Sequence, residues 1–252
     1  MANEPLRALV TGGSGGIGRA IAVRLAARGV RVVVHFGKNR DAAEATLAAL
    51  SGSGHGLISA ELSKAELAGT LWTRAEAQFG AIDLLINNAG VYQTHAPLTT
   101  SFEEWSEMWQ RTLGVNLVAP AHLSFFAAKA MSARRRGRIV AISSRGSFRG
   151  EPSAPAYGAS KAGLNALSQS LAKALAPHEV GVFVVAPGWV LTEMAAEHLT
   201  GARREAILND QPSGRITEPD EVARIVEFCA LDAPLAMTGA ILDVNGASYL
   251  RT

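Results

Sequence analysis

Seven short, almost unbroken apolar runs recur along the chain, and longer stretches with apolar residues at helical spacing separate them. The runs are "RALVT" (7–11), "VRVVVHF" (30–36), "GLISA" (56–60), "IDLLIN" (82–87), "RIVAIS" (138–143), "VGVFVVA" (180–186) and "AILDV" (240–244). Continuous apolar runs of this length predict strands buried on both faces, as in a parallel sheet. The Ala- and Leu-rich stretches 18–28, 41–50, 64–78, 103–132, 157–176 and 218–231 predict the connecting helices. Such alternation gives right-handed βαβ units and hence an α/β, doubly wound parallel sheet with helices on both faces. No Pro/Ser-rich linker and no internal repeat divides the chain, so a single domain is expected. One polar, helical stretch, about 189–216, interrupts the alternation. Insertions at that end of a sheet tend to cover ligands, and a lid is expected there.

Composition narrows the function classes. Hydrophobic residues make up 48 % of the 252 positions and charged residues 18 %, which suits a large core and excludes disorder. A formal charge of +2 argues against nucleic acid or a membrane surface as partner. The basic run "ARRRGR" (133–138) reads as a helix end, where cations are favoured, with an acidic docking partner as the alternative. Cys229 is the only cysteine and reads as a small buried residue. No internal disulfide is expected, and a reducing, cytoplasmic setting fits. Neither a signal-peptide core nor a membrane-length apolar run is visible.

The first strand runs into "TGGSGGIG" (11–18), which opens the first helix. Glycines in that place allow a tight turn, close approach of backbone to a pyrophosphate, and close helix–sheet packing. The free N–H groups of the helix then face the phosphates. A Rossmann-type, dinucleotide-binding sheet is the expectation. An adenosine ribose without a 2′-phosphate is usually held by an Asp or Glu at the end of the second strand. Here the chain reads "HFGKNR" (35–40), with no carboxylate before Asp41. Lys38 and Arg40 are instead placed to neutralise a 2′-phosphate, which favours NADP(H) and leaves NAD(H) as the alternative.

"NNAG" (87–90) ends the fourth strand, where amide side chains tie a loop and a glycine clears room for ribose. "YGASKAG" (157–163) puts Tyr157 and Lys161 one helical turn apart on the same face. A free phenol has a pKa of about 10, and a neighbouring cation lowers it. The sequence therefore predicts a tyrosine with a depressed pKa that exchanges a proton with a substrate oxygen. Ser144, at the end of "VAISS", is placed to hydrogen-bond that oxygen as charge develops. Asn116, in "GVNLVAP", is placed to hold a water linking the lysine to solvent.

Together these motifs resemble the short-chain dehydrogenase/reductase family over nearly the whole chain. Thr11-Gly12-x₃-Gly16-x-Gly18 is similar to its cofactor fingerprint, and Asn87-Asn88-Ala89-Gly90 to its central motif. Asn116, Ser144, Tyr157 and Lys161 match its catalytic tetrad, and "PGWVLT" (187–192) its nicotinamide-contacting segment. The resemblance implies a tyrosine acid/base, a lysine that binds the nicotinamide ribose, a serine that orients the carbonyl and an asparagine that supports a proton relay. It also implies cofactor contacts from Ser14, Gly15, Ile17, Leu62, Asn88, Ala89, Gly90, Pro187, Gly188, Val190 and Thr192.

"RVVVHFGKNRDAAE" and "GRIVAISS" look most like 3-oxoacyl-(acyl-carrier-protein) reductases. That likeness implies an NADPH-dependent homotetramer acting on acyl thioesters, with acyl carrier protein as a partner for the 134–138 arginines. The chain departs from the pattern at Gly15, where many NADP-preferring members carry Arg or Lys. At "ELS" (61–63), Glu61 stands where an Asp touching adenine is usual, and the chain ends in "VNGASYLRT". An NAD-dependent sugar or polyol dehydrogenase is the rival within the enzyme class. A non-catalytic dinucleotide-binding protein is the rival outside it.

Overall fold

A computed structural model describes residues 4–64, 66–196 and 199–251. Its single sheet has seven parallel strands in the order β3-β2-β1-β4-β5-β6-β7. These are β1 (Arg7–Val10), β2 (Arg31–Phe36), β3 (Gly56–Ser59), β4 (Leu84–Asn87), β5 (Gly137–Ile142), β6 (Val180–Pro187) and β7 (Ile241–Val244). Each falls on one of the seven apolar runs. The helices are α1 (Gly16–Ala27), α2 (Arg40–Ala48), α3 (Leu67–Phe79), α4 (Phe102–Leu113), α5 (Ala119–Arg134), α6 (Gly146–Arg149), α7 (Pro155–Leu175), α8 (Glu193–Ala196), α9 (Gly201–Asn209) and α10 (Pro219–Glu227).

Alternate residues of each strand face opposite sides, so one sheet builds two cores. Val10, Val32, Val34 and Ile86 pack with Ile21 and Leu25 of α1 and Val222 and Val226 of α10. Leu9, Val33, Leu85 and Val182 pack on the other face with Leu71 and Trp72 of α3 and Leu123 and Met131 of α5. Cys229 is fully buried in the first core, and burial pushes its thiol up to about 12, so it is apolar filling. Arg24 and Arg28 tie α1 to Asp220, Glu227 and Asp232 at 2.7–3.0 Å, which fixes the helix behind the glycine turn.

Three local features depart from the expected pattern. The long helix expected over 103–132 is broken by a π-helical turn, Gly114–Val118, with Asn116 buried inside it. Gly114 lies against the Ser63 carbonyl, where a side chain would crowd it, and this contact helps place the break. Secondly, α6 follows Ser144 without any apolar periodicity to announce it. Thirdly, the arginines closing α5 are engaged locally. Arg134 donates to Ile82 O at 2.7 Å, Arg135 pairs with Glu179 at 2.8 Å, and Arg136 stands 3.8 Å from Asp83. The helix-end reading of that run therefore holds, and the pairs of Arg135 and Arg136 lie at the surface. The segment 189–216, where a lid is expected, carries α8 and α9, and a bridge joins Val190 to Thr217; 197–198 lie outside the described residues.

Candidate active site

Strand order reverses between β1 and β4, and a crevice at the carboxyl ends of these strands is where ligands bind in such sheets. Hydrogen bonds from one motif to the other build its floor. The Thr11 amide and hydroxyl both donate to Ile86 O, at 3.0 and 3.1 Å. The Thr11 hydroxyl in turn accepts from the Asn88 and Ala89 amides at 2.9 and 3.0 Å. Asn88 Nδ2 donates to Thr11 O and Gly12 O at 2.8 and 3.1 Å. Asn87 points away, donating to Ser124 at 3.1 Å.

Glycine is required at two points of this floor. Gly12 has φ +61, and a side chain at Gly18 would collide with the Gly12 carbonyl and the Asn88 amide. Beside Gly15 the space is open to within 3.9 Å of Glu193 Oε2, so the N-terminus of α1 faces a cavity.

That cavity has a volume of ≈ 350 Å³. From the glycine turn Gly12, Ser14, Gly15, Gly16, Ile17 and Gly18 line it; from the β4 end, Asn88, Ala89 and Gly90. Ser144, Tyr157, Lys161, Pro187, Gly188, Val190 and Thr192 complete the predicted residues on its walls. The exposed N–H groups of a glycine-rich helix start, continuous with a Tyr–Lys pair, fit a nicotinamide dinucleotide. Asn116, Lys38, Arg40, Glu61 and Leu62 are not on those walls. The Leu62 side chain packs into the core between β3 and α3. Lys38 is 89 % exposed and stands 3.9 Å from Glu61, while Arg40 pairs with Glu44 at 2.8 Å. Glu61 is turned onto Ser63, whose hydroxyl and amide hold its carboxyl below the usual range.

Ser144 and Tyr157 share a wall of the cavity, the Ser144 hydroxyl acts on the phenol to favour its ionised form, and the Ser144 Oγ accepts from the Gly146 amide at 3.1 Å. Lys161 Nζ donates to Ile142 O at 2.8 Å and stands 5.8 Å from the Tyr157 ring centroid. Tyr92 packs edge-on against Tyr157 at 4.9 Å.

Two expectations are corrected by this geometry. Burial pushes the Tyr157 phenol up, to about 12, with the Ser144 hydroxyl pulling only partly against it. Burial also holds Lys161 down at about 8. The pair is thus desolvated first, and the predicted depression of the tyrosine is absent from the protein alone. Asn116 does not aim its side chain at a solvent channel. Its Oδ1 accepts from Val91 N at 2.8 Å, and its Nδ2 donates to Val91 O and Ser160 Oγ at 3.0 and 3.2 Å. Since Ser160 donates to Tyr157 O at 2.7 Å, the asparagine braces the turn that carries the tyrosine.

Two side chains in or behind the site were passed over by the sequence reading. His35, 2 % exposed, accepts from the Gly12 amide through Nδ1 at 3.1 Å and meets Ala60 O through Nε2 at 3.1 Å. An amide can only donate and a carbonyl only accept, so the ring is neutral with its proton on Nε2. Burial accordingly lowers its pKa to about 4. A search for carboxylates at the end of β2 overlooks a histidine there, although an imidazole inside an apolar run was the available signal. Arg145, directly after Ser144, is the second; its side chain is 4 % exposed, and it lines the same cavity.

Comparison with known proteins agrees with this site. The family profile described as short chain dehydrogenase matches residues 7–202. The 3-oxoacyl-[acyl-carrier-protein] reductase FabG of Haemophilus influenzae is 39 % identical over 243 residues, covering 96 % of this chain and 98 % of that one. The Escherichia coli protein of the same name is 37 % identical, covering 96 % and 97 %. A solved short-chain dehydrogenase/reductase structure from Brucella melitensis, titled glucose/ribitol dehydrogenase, superposes with a TM-score of 0.86 at 30 % identity, covering 98 % and 97 %. The chain belongs to the short-chain dehydrogenase family and is an oxidoreductase that interconverts carbonyl and alcohol groups.

Proposed function

We propose that the chain reduces the 3-oxo group of an acyl thioester with NADPH, in the manner named for its bacterial relatives. The observation that carries this reading is the convergence of Ser144, Tyr157 and Lys161 on the wall of a cavity that also exposes the glycine turn. When bound, the reduced cofactor supplies a hydride to the carbonyl carbon. Ser144 and Tyr157 hold the carbonyl oxygen, and Tyr157 gives it the proton that completes the alcohol. Lys161, fixed on Ile142 O, places its positive charge beneath the phenol and favours the departing proton. Asn116 and Ser160 keep the Tyr157 turn in register.

Lys38 and Arg40 support NADP(H), because both lie at the end of β2 where no carboxylate competes for the ribose. Their present partners are exposed, and such pairs open at little cost. An acyl carrier protein partner, a homotetramer and a cytoplasmic setting belong to the same reading. Among the described residues no helix is long and apolar enough to cross a membrane. An exposed Phe125 on α5 is a candidate contact between subunits.

The test is oxidation of NADPH, with NADH in parallel, in the presence of an acetoacetyl thioester. NADPH-dependent turnover supports the reading. Cofactor binding without thioester turnover would remove the acyl assignment.

A further inference from the structure

Arg145 is an unexpected residue to find in the wall of this site. A guanidinium offers five N–H donors in one plane and is costly to bury unless they are used. The Arg145 side chain is only 4 % exposed, and it forms an ion pair with Asp210, just beyond α9, with Nη1 and Oδ2 3.0 Å apart. Nη1 is buried and makes no well-directed hydrogen bond there. Arg149 takes the same carboxylate oxygen at 3.1 Å, so two guanidinium groups share one acceptor. Glu151 is the remaining acidic group whose charge acts on Arg145. Asp210 is 47 % exposed and sits on the lid segment, so it can turn toward water at small cost. The backbone of Arg145 is fixed, with its amide donating to Pro187 O at 2.9 Å, next to the residue that holds the substrate carbonyl.

We propose that Arg145 is a specificity residue: it takes a second, planar oxygen group of the substrate, close to the carbonyl being reduced, and Asp210 occupies it while the site is empty. This rests on the carbonyl-reduction reading above and assigns a residue to the second oxygen group of its substrate. A thioester carbonyl offers a guanidinium one neutral acceptor oxygen, and a free carboxylate offers it two charged ones in a plane. The neutral ketone without that group has nothing to offer it.

The experiment compares three substrates, acetoacetyl N-acetylcysteamine thioester, acetoacetate and butan-2-one, in the wild type and Arg145→Met. Intrinsic reactivity cancels when each substrate is compared between the two proteins. The expected result is a loss of kcat/KM of about 10²-fold for at least one dicarbonyl, with butan-2-one changed by less than about twofold. Equal losses on all three would overturn the proposal and leave Arg145 as a lid contact. Because Arg145→Met leaves Asp210 without its buried partner, the double variant Arg145→Met/Asp210→Asn is measured as well and should show the same selective loss. Asp210→Asn alone should lower KM for the dicarbonyl several-fold; a raised KM would overturn its role as occupant.

The arms separate this proposal from the reading beneath it. Selective loss on acetoacetate with no thioester turnover upholds Arg145 and removes the acyl-thioester function. Thioester turnover with neither dicarbonyl affected by Arg145→Met does the reverse.

Discussion

Lys161 Nζ donates to the backbone oxygen of Ile142 at 2.8 Å, so the end of β5 holds the ammonium beneath the Tyr157 ring. A cation anchored in this way acts on the phenol by charge, and only while it stays protonated. Burial lowers Lys161 to about 8. Raising the pH through 8 therefore removes the charge that favours proton release, and reductive kcat/KM should fall on that limb. Lys161→Arg keeps its charge throughout this range, so its profile should lack the descent at a lower overall rate. A wild-type profile flat to pH 10 would show that the lysine charge is not used.

Removing the phenol oxygen isolates the proton-transfer step. Tyr157→Phe should cost about 10²–10⁴ in kcat, the usual range for a positioned acid. Cofactor affinity, read by fluorescence quenching, should change little, because the glycine turn is untouched. Retention of most of the rate would show that another group gives the proton.

Cofactor choice is tested at the end of β2. Neutralising Lys38 and Arg40 together should raise KM for NADPH by about tenfold or more, since two charge-assisted contacts to a phosphate are lost, and leave KM for NADH nearly unchanged. Equal weakening of both cofactors would remove the 2′-phosphate assignment.

His35 predicts an acid limb of stability. The folded ring titrates at about 4, below the ordinary histidine value near 6.5. Above 6.5 both folded and unfolded chains carry it neutral, and its contribution is complete. As pH falls from 6.5 to 4 the unfolded chain takes up a proton that the folded one excludes, so stability is lost across that window. The loss amounts to about 3 kcal/mol. Urea unfolding of His35→Gln should lack this loss, and an unchanged acid limb would refute the assignment.

The sheet was legible because each strand is an apolar run buried on two faces, and burial leaves a mark on composition. The glycine turn and the Tyr157–Lys161 pair were legible because their chemistry needs particular residues at fixed spacing. The break around Asn116 was not, since the stretch 103–132 keeps helix-compatible residues straight across it. Nor was the tyrosine's environment. Spacing tells which groups are neighbours, but desolvation depends on what else surrounds them, and here it outweighs the pull of the Ser144 hydroxyl. Arg145 escaped because nothing local distinguishes a buried polar clamp from a solvated side chain, whereas His35 carried a local signal, an imidazole inside an apolar run, that a search for carboxylates passes over.

The π-helical turn at Gly114–Val118 makes this stretch sensitive to length more than to identity. A π turn is an α-helix with one residue too many. Deleting one residue there would restore an unbroken helix with its flanks close to their present register, because the π turn is what absorbs the extra residue. Leu123 and Met131 of α5 would keep their places against the sheet, while Asn116 would lose the widened turn that sets it on Val91 and Ser160. Single-residue deletions between 114 and 118 should therefore be the gaps that related active sequences do not carry, even where their residue types drift freely.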